Sequence, residues 1–175
     1  MLKKFDSTSP IIVSTFAKHY SIKDKLLSLI EKESFDSNSN EHDQISATDF
    51  FVKDNMKYEY YQLIKPLIAE HMTEVFREFD VQGFAIGNMW AQQYNLNDTH
   101  HWHIHGSCHF TNVYLIELPN NELTTEIRPL EGDSLLEYNA VEGDIITFPS
   151  YLYHRSPKNT TEQRKTVISF NMNLL

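Results

Sequence analysis

The spacing of apolar residues predicts helices in the first part of the chain. Between residues 55 and 79 apolar side chains recur every three or four positions, as in a helix with one buried face: Leu67, Ile68, Met72, Val75, Phe76 and Phe79. Pro66 is expected to start a new helix there or to kink one, because proline has no N–H to donate. An earlier helix is predicted from Ser21, as its N-cap, through Ile30. The polar segment 34–48 predicts a loop, either a surface connection or an active-site lid.

From Gly83 onward the pattern changes to the alternation that is typical of strands. It is clearest over residues 84–93, and further strand-like segments cover 110–118, 135–138, 145–148 and 166–173, with turn sequences between them. Short strands at such spacing are typical of a sandwich or barrel. We therefore predict a mainly β fold with flanking N-terminal helices. A single domain is expected over 1–175, with a helical support region at 1–82 and a β core at 83–175.

Composition and charge argue against several classes of protein. The chain has 175 residues, of which 41% are hydrophobic, enough for one domain with a core. Its net charge of −9 argues against nucleic-acid binding, which depends on lysine and arginine, and against binding to an anionic membrane surface. There is no membrane-spanning apolar run, no signal-peptide pattern and only one cysteine, Cys108. We therefore expect a cytoplasmic protein without membrane or nucleic-acid partners.

Five of the nine histidines fall in one short segment. Residues i and i+2 of a strand share a face, so His101, His103 and His105 are expected to project together and His100 to point the opposite way. Two imidazoles at this spacing can reach one ion, and His154, which follows a predicted strand, is the best distant third ligand. Burying several titratable rings is costly without a partner. The pattern predicts a metal site but leaves the metal open, because imidazole suits several transition metals.

A second constellation lies at the start of the last predicted strand. Arg164 and Thr166 are two residues apart and are expected to face the same way. A guanidinium and a hydroxyl that point together into a barrel would form a clamp for a carboxylate. The alternative is a surface arginine paired with an acid such as Glu162.

Four segments of the chain, at 103–105, 112–115, 142–154 and 164–171, resemble the 2-oxoglutarate/Fe(II)-dependent oxygenases. The most similar group is a set of such oxygenases from marine phages and bacteria. The resemblance implies a double-stranded β-helix, which is a cupin-like jelly roll. It also implies Fe(II), 2-oxoglutarate as co-substrate and O2, with hydroxylation of a small molecule or a peptide and release of succinate and CO2.

By position, the resemblance also assigns residues. It makes the iron ligands His103, His105 and His154. Arg164, assisted by Thr166, would bind the far carboxylate of 2-oxoglutarate, and Tyr94 is either another co-substrate contact or part of the core.

The chain departs from the usual family motif, which has a carboxylate at the position of His105. Asp98 as a carboxylate ligand and His101 in place of His105 are therefore alternatives, and His109 is expected near the site. Two other functions also stay open. One is a cupin-like three-histidine metalloenzyme that does not use 2-oxoglutarate, and the other is a non-catalytic β-sandwich binding module. A homodimer is compatible with the sequence.

Overall fold

The computed structural model describes residues 10–33, 35–77 and 81–175. Two short 3-10 helices, Asn55–Lys57 and Asn121–Leu123, accompany the main elements. In chain order, the strands and α-helices of the described residues are β1 (Ile12–Thr15), α1 (His19–Lys32), β2 (Asp36–Ser39), β3 (Gln44–Thr48), α2 (Glu59–Arg77), β4 (Phe84–Tyr94), β5 (His100–His103), β6 (Phe110–Glu117), β7 (Glu126–Arg128), β8 (Asp144–Pro149), β9 (Tyr153–Ser156) and β10 (Lys165–Leu174).

These strands form two antiparallel sheets. The larger has the order β1-β8-β6-β10-β4-β3-β2, and the smaller has the order β5-β9-β7. Apolar side chains from β4, β6, β8 and β10 of the large sheet meet Ile127 of the small sheet in one buried cluster. The arrangement is a double-stranded β-helix with helices on the outside of the large sheet, which confirms the predicted fold class.

Strand β10 shows how the large sheet separates its two faces. Ile168, Phe170 and Met172 pack in the cluster that includes the helices, whereas Val167 belongs to the cluster between the sheets. This alternation follows from the pleat, which points successive side chains to opposite faces. Odd-numbered residues of β10 therefore face the space between the sheets, and even-numbered residues face the helices up to Met172.

Both predicted helices are present, with different ends. Helix α1 begins at His19, so Ser21 is not its N-cap, and the Ser21 hydroxyl instead donates to the Lys18 carbonyl at 2.7 Å. Helix α2 continues through Pro66, and the predicted end at Phe79 lies outside the described residues. No helix in the described part of the chain is long and apolar enough to cross a membrane.

Two segments were predicted with the wrong secondary structure, a loop at 34–48 and a strand at 135–138. The segment 34–48 contains the hairpin of β2 and β3, which joins the large sheet through β4, so the first 82 residues supply strands as well as helices. Its residues are polar because an edge hairpin is held by backbone hydrogen bonds and needs few apolar side chains. Residues 135–138 are not a strand, and the third strand of the small sheet is β7 instead.

Candidate metal centre

Three histidines converge between the two sheets. His103 on β5 lies directly opposite His154 on β9, and His105 follows the end of β5, where its backbone N–H donates to Ser150 at 3.0 Å. One ring nitrogen from each of the three side chains lies within 4.8 Å of the others. The structure thus brings together the three residues that the sequence predicted as metal ligands.

Each of these rings is held through its Nδ1 atom. The Nδ1 atoms of His103 and His154 lie 2.7 and 3.1 Å from the backbone carbonyl oxygen two residues earlier. The Nδ1 atom of His105 lies 2.7 Å from the side-chain oxygen of Asn171. A carbonyl oxygen only accepts, so each Nδ1 carries the hydrogen and each Nε2 keeps a free lone pair. This is how metal-binding histidines are commonly oriented in proteins.

The same rings are kept uncharged. Burial lowers the pKa of His103 and of His105 to about 4, and burial lowers the pKa of His154 well below its ordinary value. Neutral imidazole is the form that binds a metal. The described residues that form this group include no carboxylate. The donor set therefore fits a divalent transition metal held by three nitrogens.

A β-bulge in β5 adds a fourth ring to the cluster. His100 and His103 are three residues apart, but they face residues that are only two apart on β9, so β5 contains one extra residue. As a result the ring of His100 stacks on that of His103, with 4.0 Å between centroids. His101 is exposed and stacks on His42 instead. The prediction that His101 faces the same side as His103 is therefore wrong, and His100 takes that position.

The other candidate ligands lie elsewhere. The Asp98 carboxylate accepts hydrogen bonds from the backbone N–H groups of Ser46 and Asn95, in the turn before β5. His109 is exposed, and its Nδ1 accepts from the backbone N–H of Leu174 at 3.0 Å. Neither residue belongs to the group of converging histidines.

Arg164 and Thr166 do not face the histidines. The Arg164 guanidinium pairs with Glu31 of α1 and with Glu117, each at 2.8 Å. The Thr166 hydroxyl donates to the same Glu117 carboxylate. The two residues share a face, as expected, but it is the face of β10 that the helices cover. This placement corrects the expectation of a carboxylate clamp inside the barrel.

Lys165, which sequence reasoning missed, occupies that interior position. It is buried, and its Nζ donates to the Leu123 carbonyl at 2.6 Å and to the Ser156 hydroxyl at 2.8 Å. Burial lowers its pKa to about 7. Within the described residues it forms no ion pair. Lys165 and Tyr94 line a narrow cavity of about 30 Å³ together with the histidines, and Tyr94 also belongs to the buried apolar cluster between the sheets, so both of its expected roles stay open.

A larger cavity adjoins the narrow one at the same histidines. Its volume is about 450 Å³, and it shares His100, His103 and His105 with the inner cavity. The hairpin of β2 and β3 forms part of its wall, which places the segment 34–48 beside the site. The candidate metal centre therefore borders both a narrow space lined by a lysine and an outer space large enough for an organic substrate.

Comparison with known proteins identifies the fold. No protein-family model matches the sequence, and no curated protein matches it. Among solved structures, a viral collagen prolyl hydroxylase from Paramecium bursaria Chlorella virus-1, in complex with 2OG, is 12% identical with a TM-score of 0.64, covering 97% of each chain. The chain has the fold of the 2-oxoglutarate/Fe(II) oxygenases.

Two further structures extend this likeness to other enzymes of that fold. The non-heme alpha ketoglutarate dependent epimerase SnoN from nogalamycin biosynthesis is 10% identical with a TM-score of 0.67, covering 94% of this chain and 76% of its own. HygX from Streptomyces hygroscopicus, with nickel and 2-oxoglutarate bound, is 12% identical with a TM-score of 0.61, covering 95% and 84%. At these identities the likeness concerns the fold.

Proposed function

We propose that the chain is a 2-oxoglutarate-dependent Fe(II) dioxygenase that hydroxylates a small molecule or a peptide side chain. One observation carries the proposal. Three uncharged imidazoles converge inside a double-stranded β-helix beside a buried lysine that has no ion-pair partner among the described residues. The overall reaction converts 2-oxoglutarate, O2 and a C–H bond into succinate, CO2 and a C–OH group.

The iron would be held by His103, His105 and His154. Three protein nitrogens on one side of an ion leave the remaining positions for co-substrate and O2. Bound Fe(II) supplies the electrons that activate O2. The chain holds the three rings in one orientation, through the two backbone carbonyls and Asn171, and keeps them in the uncharged form that binds.

Lys165 replaces Arg164 and Thr166 as the proposed anchor for the far carboxylate of 2-oxoglutarate. An ammonium group has three donors, and two of them already bind Leu123 and Ser156, which fix the group in place. Beyond these two bonds, Nζ lies 5.4 Å from the centre of the Tyr94 ring and forms no ion pair with the described residues, so its third donor would be available to an anion. A carboxylate in the inner cavity would raise the lowered pKa of Lys165, because an opposite charge favours the protonated form. Tyr94, beside it, would complete the wall of this pocket.

The named structural neighbours support this assignment. The viral collagen prolyl hydroxylase was solved as a complex with 2OG, and HygX with nickel and 2-oxoglutarate. In this chain the primary substrate would lie in the outer cavity, which Lys165 does not line. A cytoplasmic location and a homodimer stay predictions.

A second candidate is a three-histidine metalloenzyme that does not use 2-oxoglutarate. It is favoured by the lack of a carboxylate in the described ligand group. Anaerobic addition of Fe(II) and 2-oxoglutarate separates the two. Chelation of iron by the keto acid gives a visible charge-transfer band, and admission of air then yields succinate. Iron binding without the band and without succinate would support the three-histidine alternative and contradict the oxygenase proposal.

A further inference from the structure

The outer cavity combines one negative charge with a cluster of aromatic rings. Among the described residues, Asp43 is the only carboxylate that lines it, and no lysine or arginine does so. Phe50, Phe51 and Trp90 form part of the same wall. A cavity with this lining has the chemistry that recognises an organic cation.

The three rings contact one another in series, and two of them, Phe50 and Phe51, are exposed while Trp90 is buried. Phe50 meets Phe51 and Trp90 edge to face, with 5.0 Å between centroids in both pairs. Phe51 is 70% exposed and Phe50 is 50% exposed, which is unusual for phenylalanine and leaves ring surface open to a ligand. The face of an aromatic ring carries a partial negative charge and attracts ammonium groups within about 6 Å.

Asp43 lines the same cavity as these rings and contacts the histidine segment. Its Oδ1 accepts from the backbone N–H of His101 at 2.8 Å, and its Oδ2 accepts from the Asn40 amide at 3.0 Å. Its Oδ1 is also 3.9 Å from Nε2 of His100, whose ring stacks on His103. A carboxylate has about four acceptor positions, so Asp43 keeps acceptors for a ligand. The anion is therefore fixed one ring away from a proposed iron ligand.

We infer that the substrate carries a protonated or quaternary amine that binds between Asp43 and the rings of Phe50, Phe51 and Trp90. This inference rests on the proposed function, because it assigns the substrate class of that site. The cation would be anchored by Asp43, and a C–H bond near it would then face the metal centre. Neutral and anionic molecules of the same shape would lack the attraction to Asp43.

Two pairs of probes with matched shape test the charge directly. Choline and 3,3-dimethylbutan-1-ol differ in a quaternary nitrogen against a carbon, and n-butylamine and n-butanol differ in a protonated amine against a hydroxyl. Calorimetric titrations are run with the purified protein, anaerobically, with and without Fe(II) and 2-oxoglutarate. In at least one pair we expect the cation to bind about tenfold more tightly, which corresponds to about 1.4 kcal/mol. Equal affinities in both pairs, or no binding by either cation, overturn the inference.

Single substitutions test whether Asp43 and the aromatic rings cause the preference for the cation. Asp43→Asn should reduce the preference for the cation to about twofold or less. The preference is a ratio of two affinities measured on the same variant, so damage to the fold would weaken both probes and leave the ratio unchanged. Glu41→Gln removes the same charge from the same hairpin without lining the cavity and should leave the preference intact. Phe51→Leu should weaken choline more than its neutral partner. A preference that survives in Asp43→Asn contradicts the assignment.

The outcome for the proposed function is separate. Cation binding does not require turnover, so a preference that depends on Asp43 without any succinate release would reject the oxygenase and keep the cation site. Succinate release without a charge preference would keep the oxygenase and reject the cation site.

Discussion

Arg164 and Lys165 are neighbours in the chain, yet their cationic groups lie on opposite faces of β10. Arg164 pairs with Glu31 and Glu117 on the side of the helices, whereas Lys165 is buried beside the histidines. The pleat of a strand separates adjacent side chains in this way. Of the two, only Lys165 lines the cavity that the histidines share, which is why we propose it as the anchor for 2-oxoglutarate.

Replacement of Lys165 tests this division. Lys165→Met keeps a long side chain but removes the ammonium, so the affinity for 2-oxoglutarate should fall at least about tenfold, as when one partner of a buried charge pair is lost. Arg164→Gln is the matched control and should leave the affinity within about twofold. Anaerobic calorimetry with Fe(II) present measures both. A loss in Arg164→Gln with none in Lys165→Met would reverse the assignment.

The order of apolar residues in the sequence indicates which of the two cationic residues faces the helices. The large apolar residues of the last strand, Ile168, Phe170 and Met172, are at even-numbered positions, as Arg164 and Thr166 are, and therefore share a face with them. Because such residues mark the face that packs against other elements, Arg164 belongs to that face and Lys165 to the polar one. The expectation of a clamp at Arg164 and Thr166 failed because their two-residue spacing shows that they share a face but not which face of the strand it is.

Other features were predictable to different degrees. Strands β4, β6, β8 and β10 lie close to where the alternation placed them, since each has one face in each apolar cluster. The two-residue repeat of a strand predicted the pair His103 and His105, although β5 ends at His103 and His105 reaches the site from the segment that follows. The bulge in β5 and the hairpin of β2 and β3 had no comparable signal. Both depend on backbone pairing with distant segments, which side-chain periodicity does not report.

Asn171 should matter for metal affinity although it is not a proposed ligand. Asn171→Leu removes the acceptor that holds the His105 ring, and loss of such a partner typically lowers metal affinity about 10- to 100-fold. Asn171→Asp keeps an acceptor and should retain tight binding. Competition with a chromophoric chelator for Zn(II) or Co(II) gives the affinities. Asn173→Leu, on the same strand, serves as control, and an equal loss there would indicate general damage.

The ligand set itself predicts a contrast among histidines. His154→Ala should abolish stoichiometric metal binding, because two remaining imidazoles hold an ion weakly. His101→Ala should bind as the unaltered protein does, since its ring is exposed and stacks on His42. Metal content after dialysis, measured by elemental analysis, decides this. Full iron occupancy in His154→Ala would refute the three-histidine centre.

The metal-free protein should lose stability in mild acid. Burial lowers the pKa of His100, His103 and His105 to about 4, from an ordinary value of 6.5. Between these values the unfolded chain binds protons that the folded chain does not, so the free energy of unfolding falls as pH drops through this window. Above pH 6.5 the histidines are uncharged in both the folded and the unfolded chain, so this loss of stability is absent. His100→Gln should flatten this dependence and His101→Gln should not, as measured by urea denaturation at a series of pH values. Identical slopes in both variants would contradict the burial of His100.

The helix-facing core should be sensitive to truncation. Ile168 is fully buried in the middle of β10, so Ile168→Ala should lower the free energy of unfolding by about 3 kcal/mol. Tyr20→Ala, at a position that is 84% exposed, should change it by no more than about 0.5 kcal/mol. Urea denaturation followed by circular dichroism measures both. Equal effects would mean that the helices do not seal this face of the sheet.

The extra residue in β5 also affects how this chain should be aligned with relatives. A homologue without the bulge has one residue fewer before His103, so a gapless alignment pairs its cavity-lining position with His101 instead of His100. Deletion of one residue between His100 and His103 would remove the bulge and leave His100 on the same face as His103, because residues two apart in a regular strand share a face. The bulge therefore decides that His100, and not His101, is the fourth histidine of this site. Comparison of residue types alone does not reveal where the bulge lies.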